Sequence, residues 1–152
     1  MTNQTESRFV YVTYIKTTPE RLWAALTDPE MAAKYWMGAR PETQWKLGSA
    51  WKLVFPDGKV ADSGEITAFE PCKHLALSWR NEWSPEFHAE GLAVCTMDLE
   101  TVGEAVKLTV THSINRPNSG LIAAVSGGWP QILSNLKSLI ETGAVVLQPR
   151  KK

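Results

Sequence analysis

Residues Val125 to Leu139 read VSGGWPQILSNLKSL. Two glycines and a proline work against a helix there, because glycine carries excess chain entropy and proline lacks an N–H and crowds the preceding turn. The apolar residues argue the other way. Ile122, Val125, Trp129, Ile132, Leu133, Leu136, Leu139 and Ile140 recur at spacings of three and four with no slip in phase, as one face of an α-helix requires. The stripe runs unbroken through Gly127, Gly128 and Pro130, so the spacing predicts one long helix from about Asn118 to Thr142, with Gly143 ending it. The rival reading restarts the helix at Pro130, and either one places a kink near that residue.

Upstream, from Gly48 to Ser113, the period changes from 3.6 to two. Trp51, Leu53 and Phe55 alternate with Ala50, Lys52 and Val54; Leu75, Leu77 and Trp79 alternate with His74, Ala76, Ser78 and Arg80. Cys95, Met97 and Leu99 share a face, as do Val106, Leu108, Val110 and His112. Asp57-Gly58, Glu70-Pro71 and Val102-Gly103 punctuate the run. Such alternation marks an antiparallel sheet of six or seven strands, wet on one side, with the long helix covering the other. Phe9 to Ile15 supplies a first strand. Two short helices follow it, the first capped by Thr18 with Pro19 leading, the second starting at Pro29 and reaching about Lys34. Trp36 and Trp45 flank a loop containing glycine and proline. The fold class is α+β, with residues 1–152 as one domain and a core over about 8–142.

At 152 residues the chain can bury about 68–70 % of its unfolded surface without a staple. Sixteen basic residues balance sixteen acidic ones and are scattered except at Arg150, Lys151 and Lys152, so no footprint for nucleic acid appears and that tail reads as a solvated terminus. No apolar run reaches the roughly 18 residues of a membrane span, and the start resembles no signal peptide. A soluble cytoplasmic protein without membrane insertion is expected. Cys72 and Cys95 lack metal or redox spacing and read as reduced, buried side chains.

Three histidines without carboxylates at ligand spacing make no metal site. Nucleophile elbows, phosphate loops and dinucleotide fingerprints are absent, so no cofactor is expected. Glu65, Asp62 and Asp98 read as outward or loop residues, His74 as outward and His88 as exposed. His112 points inward by alternation and offers a neutral imidazole to a ligand; the more economical account bonds it to nearby backbone or to the helix start. Arg80, Glu82 and Trp83 either rim a pocket mouth or form a plain loop.

Seven tryptophans are the one unusual feature of composition, and the run Ile15-x-x-x-Pro19-Glu20-x-x-Trp23-x-x-Leu26-Thr27-Asp28-Pro29-Glu30, followed by Trp36, Gly48, Trp51 and Leu53, resembles the START-like (SRPBCC) superfamily. Within it the chain is most similar to the branch named for the activator of heat shock protein 90 ATPase, in its bacterial stand-alone form. Gly64-x-Ile66 with Phe69-Glu70-Pro71, Leu75-x-Leu77-x-Trp79, Thr96 with Leu99, Thr111-His112 and Gly128-Trp129-x-x-x-Leu133-x-x-Leu136 agree with it. The resemblance covers about residues 8–142 and implies the helix-grip fold, a curved sheet wrapped around the long helix. It also implies that a glycine lets that helix approach the sheet while the Trp129 ring points to a cavity; Pro130 departs from the pattern. A stress-response setting accompanies the family's name.

Large uncharged rings facing inward either close up as a core or leave a pocket. The pocket reading expects a void of about 300 Å³ or more beside Trp129, lined by Trp36, Trp51, Leu53, Phe55, Leu77, Trp79, Met97, Val110, His112, Trp129, Leu133 and Leu136. Three functions then stand. One is a binder of a small hydrophobic or aromatic molecule of lipid, polyketide or flavonoid type. Another is an enzyme of cyclase or hydratase kind using His112. The third is a co-chaperone-like module for a chaperone partner, although the eukaryotic cochaperone draws on a further domain. An exposed edge strand also offers a homodimer.

Overall fold

The computed structural model describes residues 5–148, so the basic tail at Arg150 to Lys152 lies outside the described residues. Its elements run β1 (Ser7–Ile15), α1 (Pro19–Thr27), α2 (Pro29–Tyr35), β2 (Arg40–Thr43), β3 (Ala50–Val54), β4 (Val60–Glu70), β5 (His74–Asn81), α3 (Pro85–Ala89), β6 (Ala93–Val102), β7 (Ala105–Ile114) and α4 (Gly120–Thr142). The seven strands form one sheet in the order β1-β7-β6-β5-β4-β3-β2, every neighbouring pair antiparallel. The sheet is therefore a meander from β2 to β7, closed at its far edge by β1. The helices α1 and α2 bridge its two edges.

Local chemistry sets these boundaries. Thr18 accepts the Arg21 N–H at 3.2 Å. Asp28 ends α1 and caps α2 by accepting the Glu30 N–H at 3.0 Å. Asn118 sits at a left-handed φ of 53°, which keeps it out of α4 and delays the helix start to Gly120. Ser119 then caps the Ile122 N–H at 3.1 Å. At the other end Gly143, at φ 87°, returns its N–H to Leu139. The long helix is continuous through Pro130, as its apolar stripe predicts.

Four features depart from the sequence reading. Residues Arg40–Thr43 form an edge strand, β2, where a loop is predicted; Pro41 is tolerated because an edge strand need not donate on its outer side. Residues Pro85–Ala89 form the short helix α3. A register shift between Leu53 and Val54 interrupts the alternation of β3, so Val54 is buried, and Phe55, half-buried against the core, borders an outer groove with Lys52, Lys59 and Trp83. Beyond α4, the fully buried Asn135 holds the chain after the helix. Its Oδ1 accepts from Val146 N at 3.0 Å and from Leu147 N at 2.7 Å, and its Nδ2 donates to Leu147 O at 2.9 Å.

The core lies between the inner sheet face and α4, with α1 and α2 closing one side. Ile15, Ile66, Cys95, Leu108, Val110 and Leu136 are fully buried there. Cys72 is only half-buried, contrary to expectation, and no disulfide joins the cysteines.

Candidate functional site

The centre of the molecule is an aromatic cluster. The Trp36 and Trp79 rings stack at 6.3 Å between centroids, and Trp129 meets Trp36 edge-on at 5.2 Å and Trp79 at 5.9 Å. Trp51 lies 4.7 Å from Trp79. Each ring comes from a different element: Trp36 from the end of α2, Trp51 from β3, Trp79 from β5 and Trp129 from α4.

Trp129 is 2 % exposed, and its indole N–H donates to His112 Nδ1 at 3.1 Å. The accepting Nδ1 places the ring proton on Nε2, which has no partner among the described residues. Burial lowers the His112 pKa to about 4, so the ring is neutral at physiological pH. The Trp51 N–H donates to the carbonyl of Ser78 at 2.8 Å, crossing over Gly64.

Two voids adjoin this cluster and share Trp36, Leu53, Trp79 and Trp129 as walls. The inner one, about 30 Å³, is also lined by Trp51, Leu77, Met97 and Leu133. The outer one, about 190 Å³, lies under α4 and reaches the surface beside Trp83, which is 60 % exposed. Phe87 of α3, Leu121, Val125, Gly128 and Ile132 of α4, and the polar side chains of Asp62 and Asn81 complete its wall.

Eight of the twelve expected lining residues thus meet at the voids: Trp36, Trp51, Leu53, Leu77, Trp79, Met97, Trp129 and Leu133. Val110 and Leu136 are buried in the core without reaching either void, and His112 sits behind the Trp79 and Trp129 rings. Phe55 packs half-buried at the edge of the core and borders an outer groove instead of either void. The void beside Trp129 is smaller than expected because the four rings occupy much of the interval between helix and sheet. The two glycines beside Trp129 do not serve close approach either. A Cβ built at Gly127 or Gly128 would meet nothing within 4 Å, and Gly128 opens directly onto the outer void.

Asp62 is the residue that the sequence reading misplaced. It is 8 % exposed and lines the void, instead of facing outward. The signal was present, since Asp62, Gly64 and Ile66 share one phase of β4 and Asp62 pairs across the ladder with Leu53 and Asn81. Burial, reinforced by the nearby Glu82 charge, raises its carboxyl pKa to about 7. The buried Trp79 N–H lies near enough to favour the carboxylate, yet falls short of a hydrogen bond of normal geometry. Asn81 is buried and turns its Oδ1 to the N–H groups of Trp83 and Ser84, at 3.1 and 2.8 Å, which fixes the loop at the mouth. Trp83 therefore rims the opening.

His74 pairs outward with Asp98 at 2.6 Å, and His88, exposed on α3, pairs with Glu82 at 3.2 Å. Among the described residues no group of three or more His, Cys, Asp or Glu is arranged to hold a metal, and no helix is long and apolar enough to cross a membrane.

Comparisons place this arrangement in context. A crystal structure of protein MLL2253 from Mesorhizobium loti superposes with a TM-score of 0.76 at 26 % identity, over 89 % of this chain and 97 % of that one. The solution structure of the Aha1 dimer from Colwellia psychrerythraea gives 0.73 at 22 %, over 90 % and 98 %. PFC0360w, an HSP90 activator from Plasmodium falciparum, gives 0.71 at 23 %, over 88 % and 95 %. No curated protein matches by sequence. The sequence profile described as "Activator of Hsp90 ATPase homolog 1-like protein" matches residues 16–141, from the end of β1 to the last turn of α4. That span takes in α1, α2, the whole aromatic cluster and Asp62, so the chain belongs to the Activator of Hsp90 ATPase homolog 1-like family.

Proposed function

We propose that the protein binds a small, largely apolar aromatic molecule in the void between α4 and the sheet. The observation that carries this reading is the outer void of about 190 Å³, walled by Trp36, Trp79, Trp83 and Trp129 and open at one end. An apolar protein void of about 150 Å³ is enough to admit benzene, so the space suits one ring or a compact fused pair. It is too short for a lipid chain or a flavonoid unless Trp36 swings aside to join the two voids. The lower bound of ordinary drug-sized pockets, about 300 Å³, points the same way.

Gly128 gives the reading a direct test. Its missing side chain leaves open space at the void, so Gly128→Leu fills the site from a helix position that tolerates leucine. The wild-type protein is expected to give saturable one-to-one heats with 2-phenylethanol in calorimetry, and the variant to give none while keeping its circular dichroism. Absence of binding in the wild type, or equal binding in the variant, would overturn the proposal.

An acid–base enzyme in the same void draws support from one observation, the cavity-lining Asp62 with its pKa raised to about 7. His112, which the sequence suggested for that role, is screened by two rings. A homodimer draws support from edge strand β1, whose outer face exposes Val10, Val12 and Tyr14, and from the dimeric Colwellia relative.

A further inference from the structure

Among the described residues Asp62 is the only acidic one in the wall of the outer void, and none in that wall is basic. Among the described residues no ion pair reaches its carboxyl, and Arg80 and His88 of the neighbouring segment are both engaged with Glu82. A carboxyl in an apolar wall is an expensive thing to keep, because desolvation without a partner disfavours the charged form. Packing alone would be served better there by asparagine or leucine. Around it stand the indoles of Trp36, Trp79, Trp83 and Trp129, and indole is the side chain whose π face attracts a cation most strongly. One unpaired carboxyl among several indoles is more complementary to an organic cation than to a neutral ligand, and least to an anionic one.

Resting on the binding site proposed above, we infer that the occupant is a small aromatic amine, its ring among the indoles and its ammonium paired with Asp62. The cation supplies the charge the wall lacks, and the carboxylate and ring faces replace the water the ammonium gives up. A neutral ring would instead cover the carboxyl and hold it protonated. An aromatic acid would meet repulsion from Asp62 and from Glu82 close by.

The probes are 2-phenylethylammonium, 2-phenylethanol and phenylacetate, compounds of similar size that differ in charge, titrated calorimetrically at pH 8 into wild type, Asp62→Asn and Gly128→Leu. The expected result is the order amine, alcohol, acid in the wild type, with the amine ahead of the alcohol by about tenfold or more, as close charge pairs give. In Asp62→Asn the amine loses that advantage while the alcohol changes little, which also shows that the variant is folded and its void intact. Gly128→Leu abolishes both. If the alcohol binds but the amine binds no tighter, or if Asp62→Asn weakens both alike, the inference is overturned and the binding site stands. If no probe binds the wild type, both fall together.

Discussion

Asp62 and His112 perturb each other's signature in acid. Asp62 has its pKa raised from 3.8 to about 7 by burial, so between those values the folded protein keeps a proton that the unfolded chain has released. Its contribution to stability is full at low pH and lost as pH rises through about 7. His112 behaves inversely. Burial lowers its pKa from 6.5 to about 4, so the unfolded chain takes up a proton that the folded protein refuses, and stability is lost as pH falls across that window. The two slopes oppose and nearly cancel between about pH 4 and 6.5. Asp62→Asn removes one of them. The variant is expected to exceed wild type by about 2–4 kcal/mol above pH 7.5 and to lose about 3 kcal/mol on acidification from pH 6.5 to 4, where wild type stays level. Urea midpoints across pH report this directly, and parallel curves for the two proteins would refute it. Gly64 is constrained by contact instead of charge. An added Cβ would lie 1.8 Å from the Ser78 carbonyl oxygen and 2.8 Å from Trp51 Nε1. Gly64→Ala should therefore cost more than about 3 kcal/mol, because backbone on the neighbouring strand must move; a loss under 1 kcal/mol in denaturant titration would contradict that contact.

Among the elements, α4 carries the largest conflict between local preference and tertiary demand. Its amphipathic stripe is strong enough to hold the helix through Gly127, Gly128 and Pro130, since burial of Ile122, Trp129, Leu133 and Leu136 outweighs poor propensity. The Pro130 ring removes the N–H that Ser126 would accept, and the Gln131 side chain donates to Gly127 O at 3.1 Å in the same turn. Pro130→Ala is expected to raise stability by about 1–3 kcal/mol, read as a shift in the denaturation midpoint. A loss of stability would mean that the proline ring itself packs productively. The start of α4 is fixed by tertiary contact as well: the Glu90 carboxylate accepts from Gly120 N at 2.9 Å and Leu121 N at 3.2 Å, complementing the helix dipole and tying the loop after α3 to the helix beside the void.

At the scale of the whole molecule, the sheet closes its inner face with α4 but leaves β1 as an unpaired edge nine residues long. Val10, Val12 and Tyr14 stand exposed on its outer face, next to Thr111, Thr109 and Lys107 of β7. Such an edge is a template for a second chain unless charge blocks it. Light scattering behind size exclusion is expected to give a dimer mass for the wild type and a monomer mass for Val12→Lys with unchanged thermal stability. A wild type that stays monomeric at the highest soluble concentration would remove the assembly reading.

The sequence by itself determined the architecture: period-two alternation gave most of the strands, an unbroken 3.6-residue stripe gave α4, and Thr18, Asp28 and Gly143 marked helix ends. These signals are local, being set by which residues a neighbouring backbone turn or pleat places on one face. It missed β2, whose proline imitates a loop, and the displacement of Phe55 from the voids, which depends on a bulge visible only in the pairing of β3 with β4. Eight of the residues at the voids were legible in the sequence, but the size and shape of the site were decided by tertiary structure. How much space four indoles from four elements leave depends on ring orientations that no single segment fixes, and His112 proved to stand behind that wall instead of on it. Asp62 reads as a solvated carboxylate until the fold seals it under α4, where its desolvation, a property of the assembled interior, raises its pKa to about 7.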